Sequence, residues 1–124
     1  MRFGKPDPPP VAPGTAVAEN GRSVQVEIFI FARFQARPGH HAAVEEAVLE
    51  GLAATREEPG CRGIRAFRST QEHGPVFIHS HWRDEAAFDH HAGLPHTQRF
   101  LERVEPLLDH PLDIIRTQPL GREF

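Results

Sequence analysis

The sequence has no tyrosine and a single cysteine, Cys61. One thiol cannot close a disulfide within the chain or build a metal centre from several thiolates. Without tyrosine, no phenolic side chain is on hand as an acid or a radical carrier. Positive charge is also scarce. There are 14 Lys and Arg against 17 Asp and Glu, for a formal net charge of -3. That balance offers no basic surface to pair with phosphates, so nucleic acid is not an expected partner. No apolar run approaches the ~20 residues of a membrane helix. The longest, VEIFIFA, is short and carries Glu27. The opening MRFGKPDPPP has no apolar signal-peptide core, which makes the cytoplasm the expected location. No glycine-rich loop of phosphate-cradling form occurs, so a nucleotide cofactor is not indicated.

What remains is the material of one ordinary domain. The chain has 124 residues, 39% hydrophobic and 25% charged, enough for one core. Residues 1–22 read differently from the rest. Pro6, Pro8, Pro9, Pro10 and Pro13 break helices and withhold backbone donors. This N-terminal arm is extended, either as a free tail or packed on a partner subunit. SVQVEIFIFARFQA, residues 23–36, reads as one strand. Its two-residue period puts Ile28, Ile30, Ala32 and Phe34 on one face and Phe29, Phe31 and Arg33 on the other. After the turn at Pro38–Gly39, a helix from about His40 to Glu58 carries Val44, Ala47, Val48, Gly51, Leu52 and Thr55 as its apolar stripe. EEPGC ends it. CRGIRAFRS and VFIHSHW read as two strands of a hairpin. Asp84 reads as the N-cap of a short helix, and a second helical piece spans about Pro95 to Leu108. LDIIRTQPL is a last strand, and residues 121–124 are a tail.

The order β-α-β-β-α-β over residues 23–120 predicts an α+β, ferredoxin-like domain: a four-stranded antiparallel sheet with its helices on one face. The other face still shows Phe29, Phe31 and Phe67. An apolar face of that size needs a cover, and a second copy of the chain is the economical one. A homodimer is therefore expected.

The stretches FARFQARPG, EEPGCRG and HWRDEAAFDHH followed by LPH occur in this order, with Trp82, His91 and His96 at set spacings. With these features the chain from about Val24 to Leu120 resembles the antibiotic biosynthesis monooxygenase (ABM) domain family. The resemblance implies subunits paired as a dimeric α+β barrel, each with a pocket between sheet and helices. It implies the chemistry of cofactor-independent monooxygenases that oxidise hydroquinones or polycyclic phenols with molecular oxygen. A related branch degrades haem with an asparagine of the first strand. Here that neighbourhood holds Ala32 and Arg33, and the lone asparagine is Asn20, so haem degradation is not expected. Where relatives often place a tyrosine in the second strand, this chain has Ile64.

The stretch from Phe77 to His96 holds five histidines, and each has a plain reading beside a functional one. His91 follows Asp84 by two helical turns. It is either the pocket base, with a pKa near ~6.5 suited to taking a proton at neutral pH, or a backbone-bonded residue that holds the Gly93 turn. Trp82 is a core aromatic or a wall that stacks on a flat substrate. His96 orients the substrate or serves the start of its helix. Phe88 and Phe100 exclude water. The expected site is thus His91 as catalytic base, with Trp82, His96, Phe88 and Phe100 binding a small aromatic substrate. Oxygen is the co-substrate, and no cofactor or metal is called for. His79 and His81 point the same way from one strand. They read as polar packing at the dimer face, with a metal shared across the dimer as the sharper alternative. His40, His41, His73, His90 and His110 read as solvated. Two other functions stay open: a non-catalytic small-molecule-binding or stress-related dimer, and a cofactor-free isomerase of a small metabolite.

Overall fold

A computed structural model describes residues 15–17 and 23–121 of the chain. The elements are β1 (Thr15–Val17), β2 (Ser23–Gln25), β3 (Ile28–Phe34), α1 (His41–Arg56), β4 (Cys61–Arg68), β5 (Val76–Trp82), α2 (Glu85–Ala92), α3 (Pro95–Val104) and β6 (Asp113–Thr117). A single 3-10 turn, Glu105–Leu107, extends α3. Four strands form one sheet in the order β4-β5-β3-β6, every pair antiparallel. With the helices on one face, this is the ferredoxin-like α+β arrangement.

The expected strand over residues 23–36 is two strands. β2 pairs with β1 as a separate two-stranded ladder, whereas β3 pairs with β5 starting from Ile28 opposite Trp82. The run breaks at Val26 and Glu27, where the pairing partner changes. Within the proposed N-terminal arm, Thr15–Val17 is therefore strand. The rest of the arm, and residues 122–124 of the tail, lie outside the described residues.

Alternation decides which side of each strand is core. In β3 the residues Ile28, Ile30, Ala32 and Phe34 are buried, and Phe31 and Arg33 are exposed. In β5 the inward set is Val76, Ser80 and Trp82. α1 buries Val44, Ala47, Val48, Leu52 and Thr55, the stripe its spacing predicts. This stripe meets Ala32, Phe34 and Val76 of the sheet and Leu101 and Val104 of α3. A second cluster, Ile28, Ile30, Trp82, Ala87 and Phe88, lies under α2. Each fully buried side chain of this size contributes roughly 1.5–3 kcal/mol.

Two local devices set the position of α2. Its N-cap, Asp84, is buried, and its carboxylate accepts the Ala87 N–H at 2.8 Å. Before β4, Gly60 lies against α2 so closely that a Cβ there would stand 2.4 Å from the Ala87 methyl. The Gly60 carbonyl accepts the Arg83 N–H at 2.9 Å, and the Glu58 carbonyl accepts the Cys61 N–H at 3.0 Å. The loop that ends α1 is thereby fixed to the start of α2.

Candidate active site

A cavity lies between the inner face of the sheet and the helices, with about 80 Å³ open to the centres of water-sized molecules. A single water needs only ~10–15 Å³ by that measure, so there is room for several waters or a compact ring. Its walls are mostly apolar, among them Ile30, Ile78, Phe88 and Phe100. Polar groups enter from Ser80, His91, His96 and Thr97.

The histidines are held by a residue to which the sequence reading gave no site role. Glu58, just past the end of α1, sends one carboxylate oxygen, Oε2, to two rings. His91 Nδ1 lies 2.7 Å from it and His96 Nε2 lies 2.8 Å from it. Both imidazoles donate an N–H to the carboxylate, which fixes their tautomers. His91 therefore keeps its lone pair on Nε2, and Glu58 fixes the orientation of the ring. The Thr97 hydroxyl lies 3.3 Å from His91 Nδ1. Burial pushes the His91 pKa below the usual histidine value, against a smaller upward pull from the Glu58 hydrogen bond and charge. The ring is thus neutral, and able to take a proton, at neutral pH.

Phe88, His91, His96 and Phe100 line the cavity, as the sequence reading places them. Trp82 does not. It is 1% exposed and stands one layer back, its ring 4.8 Å from that of His91 and 5.7 Å from that of Phe88. Its indole N–H donates to Ser80 Oγ at 2.9 Å. Trp82 backs the histidine and has no face free for a substrate. The physical reason is the register of β5, whose last inward residue falls under α2.

His79 and His81 occupy the opposite face of the sheet. His81 pairs with Glu27 and stacks on Phe29, with ring centroids 4.2 Å apart. His79 leans on Phe31. Among the described residues, the three-residue cluster able to hold a metal ion is Glu58, His91 and His96, with ligand atoms within 4.8 Å of one another. Arg33 pairs with Asp113, while Glu27 serves His81 and Arg62. His41 and His73, expected as solvated, meet through His41 Nε2 and the His73 carbonyl at 3.1 Å. Burial pushes the Cys61 thiol up, so it is a poor nucleophile.

The family model described as "Antibiotic biosynthesis monooxygenase" matches residues 27–103, which contain every residue of this cluster. The chain belongs to the antibiotic biosynthesis monooxygenase family. Among the ABM relatives, "Putative monooxygenase Rv0793" of Mycobacterium tuberculosis is 29% identical over 93 residues, covering 75% of this chain and 91% of its own length. "Putative monooxygenase YcnE" of Bacillus subtilis is 33% identical over 64 residues, covering 52% of this chain and 67% of its own. The solved structure of Rv0793 superposes with a TM-score of 0.72, covering 77% of this chain and 97% of that one. PA3566 of Pseudomonas aeruginosa gives a TM-score of 0.72 at 27% identity, covering 78% and 97%. The ABM fold is thereby shared over most of the described chain. Among the described residues, no helix is long and apolar enough to cross a membrane.

Proposed function

We propose that this ABM protein is a monooxygenase that oxidises a small phenol or hydroquinone with molecular oxygen and needs no cofactor. One observation carries the reading: a neutral histidine, His91, lies at the edge of an apolar cavity with its Nδ1–H held by the nearly buried Glu58 carboxylate. The substrate ring lies between Phe88 and Phe100. His91 Nε2 takes the phenol proton, and His96 and Thr97 hold the oxygen end. The phenolate passes one electron to oxygen, which the neutral phenol does far less readily. The aryloxyl radical and superoxide then join at a ring carbon. Loss of water leaves a quinone, with one oxygen atom in the product and the other in water. Support comes from the family and from its "putative monooxygenase" relatives. The chain acts as a homodimer in this reading, paired through the outer face of the sheet.

The test is oxygen uptake by chelator-treated protein over a panel of hydroquinones and polycyclic phenols, beside His91→Ala. Uptake that falls about 10²–10⁴-fold in a folded His91→Ala variant is the expected result. Uptake unchanged in that variant overturns the base assignment. Turnover that continues without oxygen points instead to an isomerase built on the same base. Absence of any turnover points to a binding module.

A further inference from the structure

We infer that Glu58, His91 and His96 also form a binding site for a divalent first-row transition cation, and that the ion, once bound, switches the base off. The second half of this inference rests on the function proposed above, and the first does not.

The donor set is two imidazole nitrogens and one carboxylate oxygen, from three separate segments: the end of α1, α2 and the first turn of α3. Such a mixed set suits zinc, cobalt, nickel or copper. Magnesium and calcium demand oxygen ligands and are disfavoured. Both nitrogens already converge on one oxygen, at 2.7 and 2.8 Å. Around an ion ~2.0–2.2 Å from each ligand, donor atoms stand ~3–3.4 Å apart, so each ring nitrogen needs to part from the carboxylate oxygen by only about half an ångström. The carboxylate brings one negative charge to the two imidazole nitrogens. The side chains of Glu58, His91 and His96 are 9%, 16% and 25% exposed, shielded yet within reach of an entering ion. Histidines of a resident metal site usually give their second ring N–H to an acceptor. Among the described residues, no hydrogen-bond partner meets His91 Nε2 or His96 Nδ1. The site is therefore one for an exchangeable ion of moderate affinity.

Coordination and base chemistry exclude each other through the tautomer. In the metal-free protein, His91 Nδ1 carries the proton and Nε2 the lone pair. A cation held at Nδ1 needs the lone pair there, so the proton moves to Nε2. No proton leaves the ring, but the nitrogen that accepted protons now donates one.

Cobalt(II) titrated into the full-length, metal-stripped protein gives a direct reading through its visible ligand-field bands. The expected result is one cobalt per chain, displaced by zinc, with binding at least about tenfold weaker in His96→Gln and in Glu58→Gln. Circular dichroism checks that both variants are folded, and partly exposed His96 is the safer of the two. Zinc should abolish oxygen uptake with the midpoint at which it displaces cobalt, and chelator should restore it. Absence of protein-induced cobalt bands, or bands unchanged in both variants, overturns the site. Zinc that raises turnover overturns the switch. If the chelated protein takes up no oxygen yet shows the cobalt bands, the switch fails together with the base assignment while the site stands.

Discussion

Glu58 is the residue on which the site turns. It is nearly buried, with its side chain 9% exposed, and two histidines share one of its oxygens. A carboxylate in that position holds the His91 ring still and, in the proposed reaction, stabilises the imidazolium that forms when His91 takes the proton. Neither task requires contact with the substrate, so Glu58 is a positioning residue. Glu58→Gln keeps the shape and one acceptor oxygen but loses the charge. Turnover should fall by about 10²-fold, the lower end of what general-base assistance contributes. KM should stay nearly constant, because the cavity walls are untouched. A drop carried by KM with kcat intact would show that Glu58 shapes the cavity and leaves the chemistry alone. Measuring kcat and KM separately for the purified variant decides between the two.

The elements that bring Glu58 to His91 are joined at one crowded point. Gly60 stands where a Cβ would lie 2.4 Å from the Ala87 methyl, so Gly60→Ala must push α2 off the end of α1. Overpacking of this kind costs ~1–3 kcal/mol. It also carries His91 away from Glu58, so turnover should fall together with stability. Ala87→Gly in the same chain removes the clashing methyl and should recover most of both. Chemical denaturation and oxygen uptake of the single and double variants measure the coupling, and a double variant no better than Gly60→Ala would place the strain elsewhere. The same junction shows what was legible in the sequence. Strand alternation in β3 and β5, the stripe of α1 and the Asp84 cap were all readable, because each depends on neighbours in sequence. Phe88, His91, His96 and Phe100 could be named from their spacing and the family resemblance. Glu58 could not, because it lies past Arg56, the last residue of α1, and meets His91, 33 positions further along, only once the sheet has closed. One signal did exist. Glu57 and Glu58 fall at the C-terminal end of a helix, where the macrodipole disfavours negative charge. An acid kept there invites a search for a distant partner. Of the two readings of Trp82, core aromatic and substrate wall, the wall failed for a related reason: alternation gives the face of a residue but not its depth, and α2 covers this end of β5. The break at Val26 and Glu27 was hidden because the apolar alternation runs on through a change of pairing partner.

At the scale of the molecule, the described residues give the sheet one face sealed by helices and one that is not. The open face carries Phe31 at 48% exposure, Phe67 at 48%, Phe77 at 37% and Ile115 at 58%. Charged pairs fringe it, Arg33 with Asp113 and Glu27 with both His81 and Arg62. An apolar centre with a polar rim is the anatomy of a protein interface, and a patch of this extent is unusual on a chain that stays monomeric. A second copy offers the same centre and the same rim, so a twofold pairing satisfies both at once. Phe31→Glu together with Ile115→Glu sets charges into the middle of that pairing without touching the inward face. Sedimentation should show the unaltered chain as a dimer at micromolar concentration and the double variant as a folded monomer. A monomeric parent chain would mean that something other than a second copy covers the face. A double variant that still dimerises would place the contact on another surface. Because the sheet separates this face from the cavity, cobalt binding at Glu58, His91 and His96 should survive in the monomeric variant, which makes the variant its own control for folding.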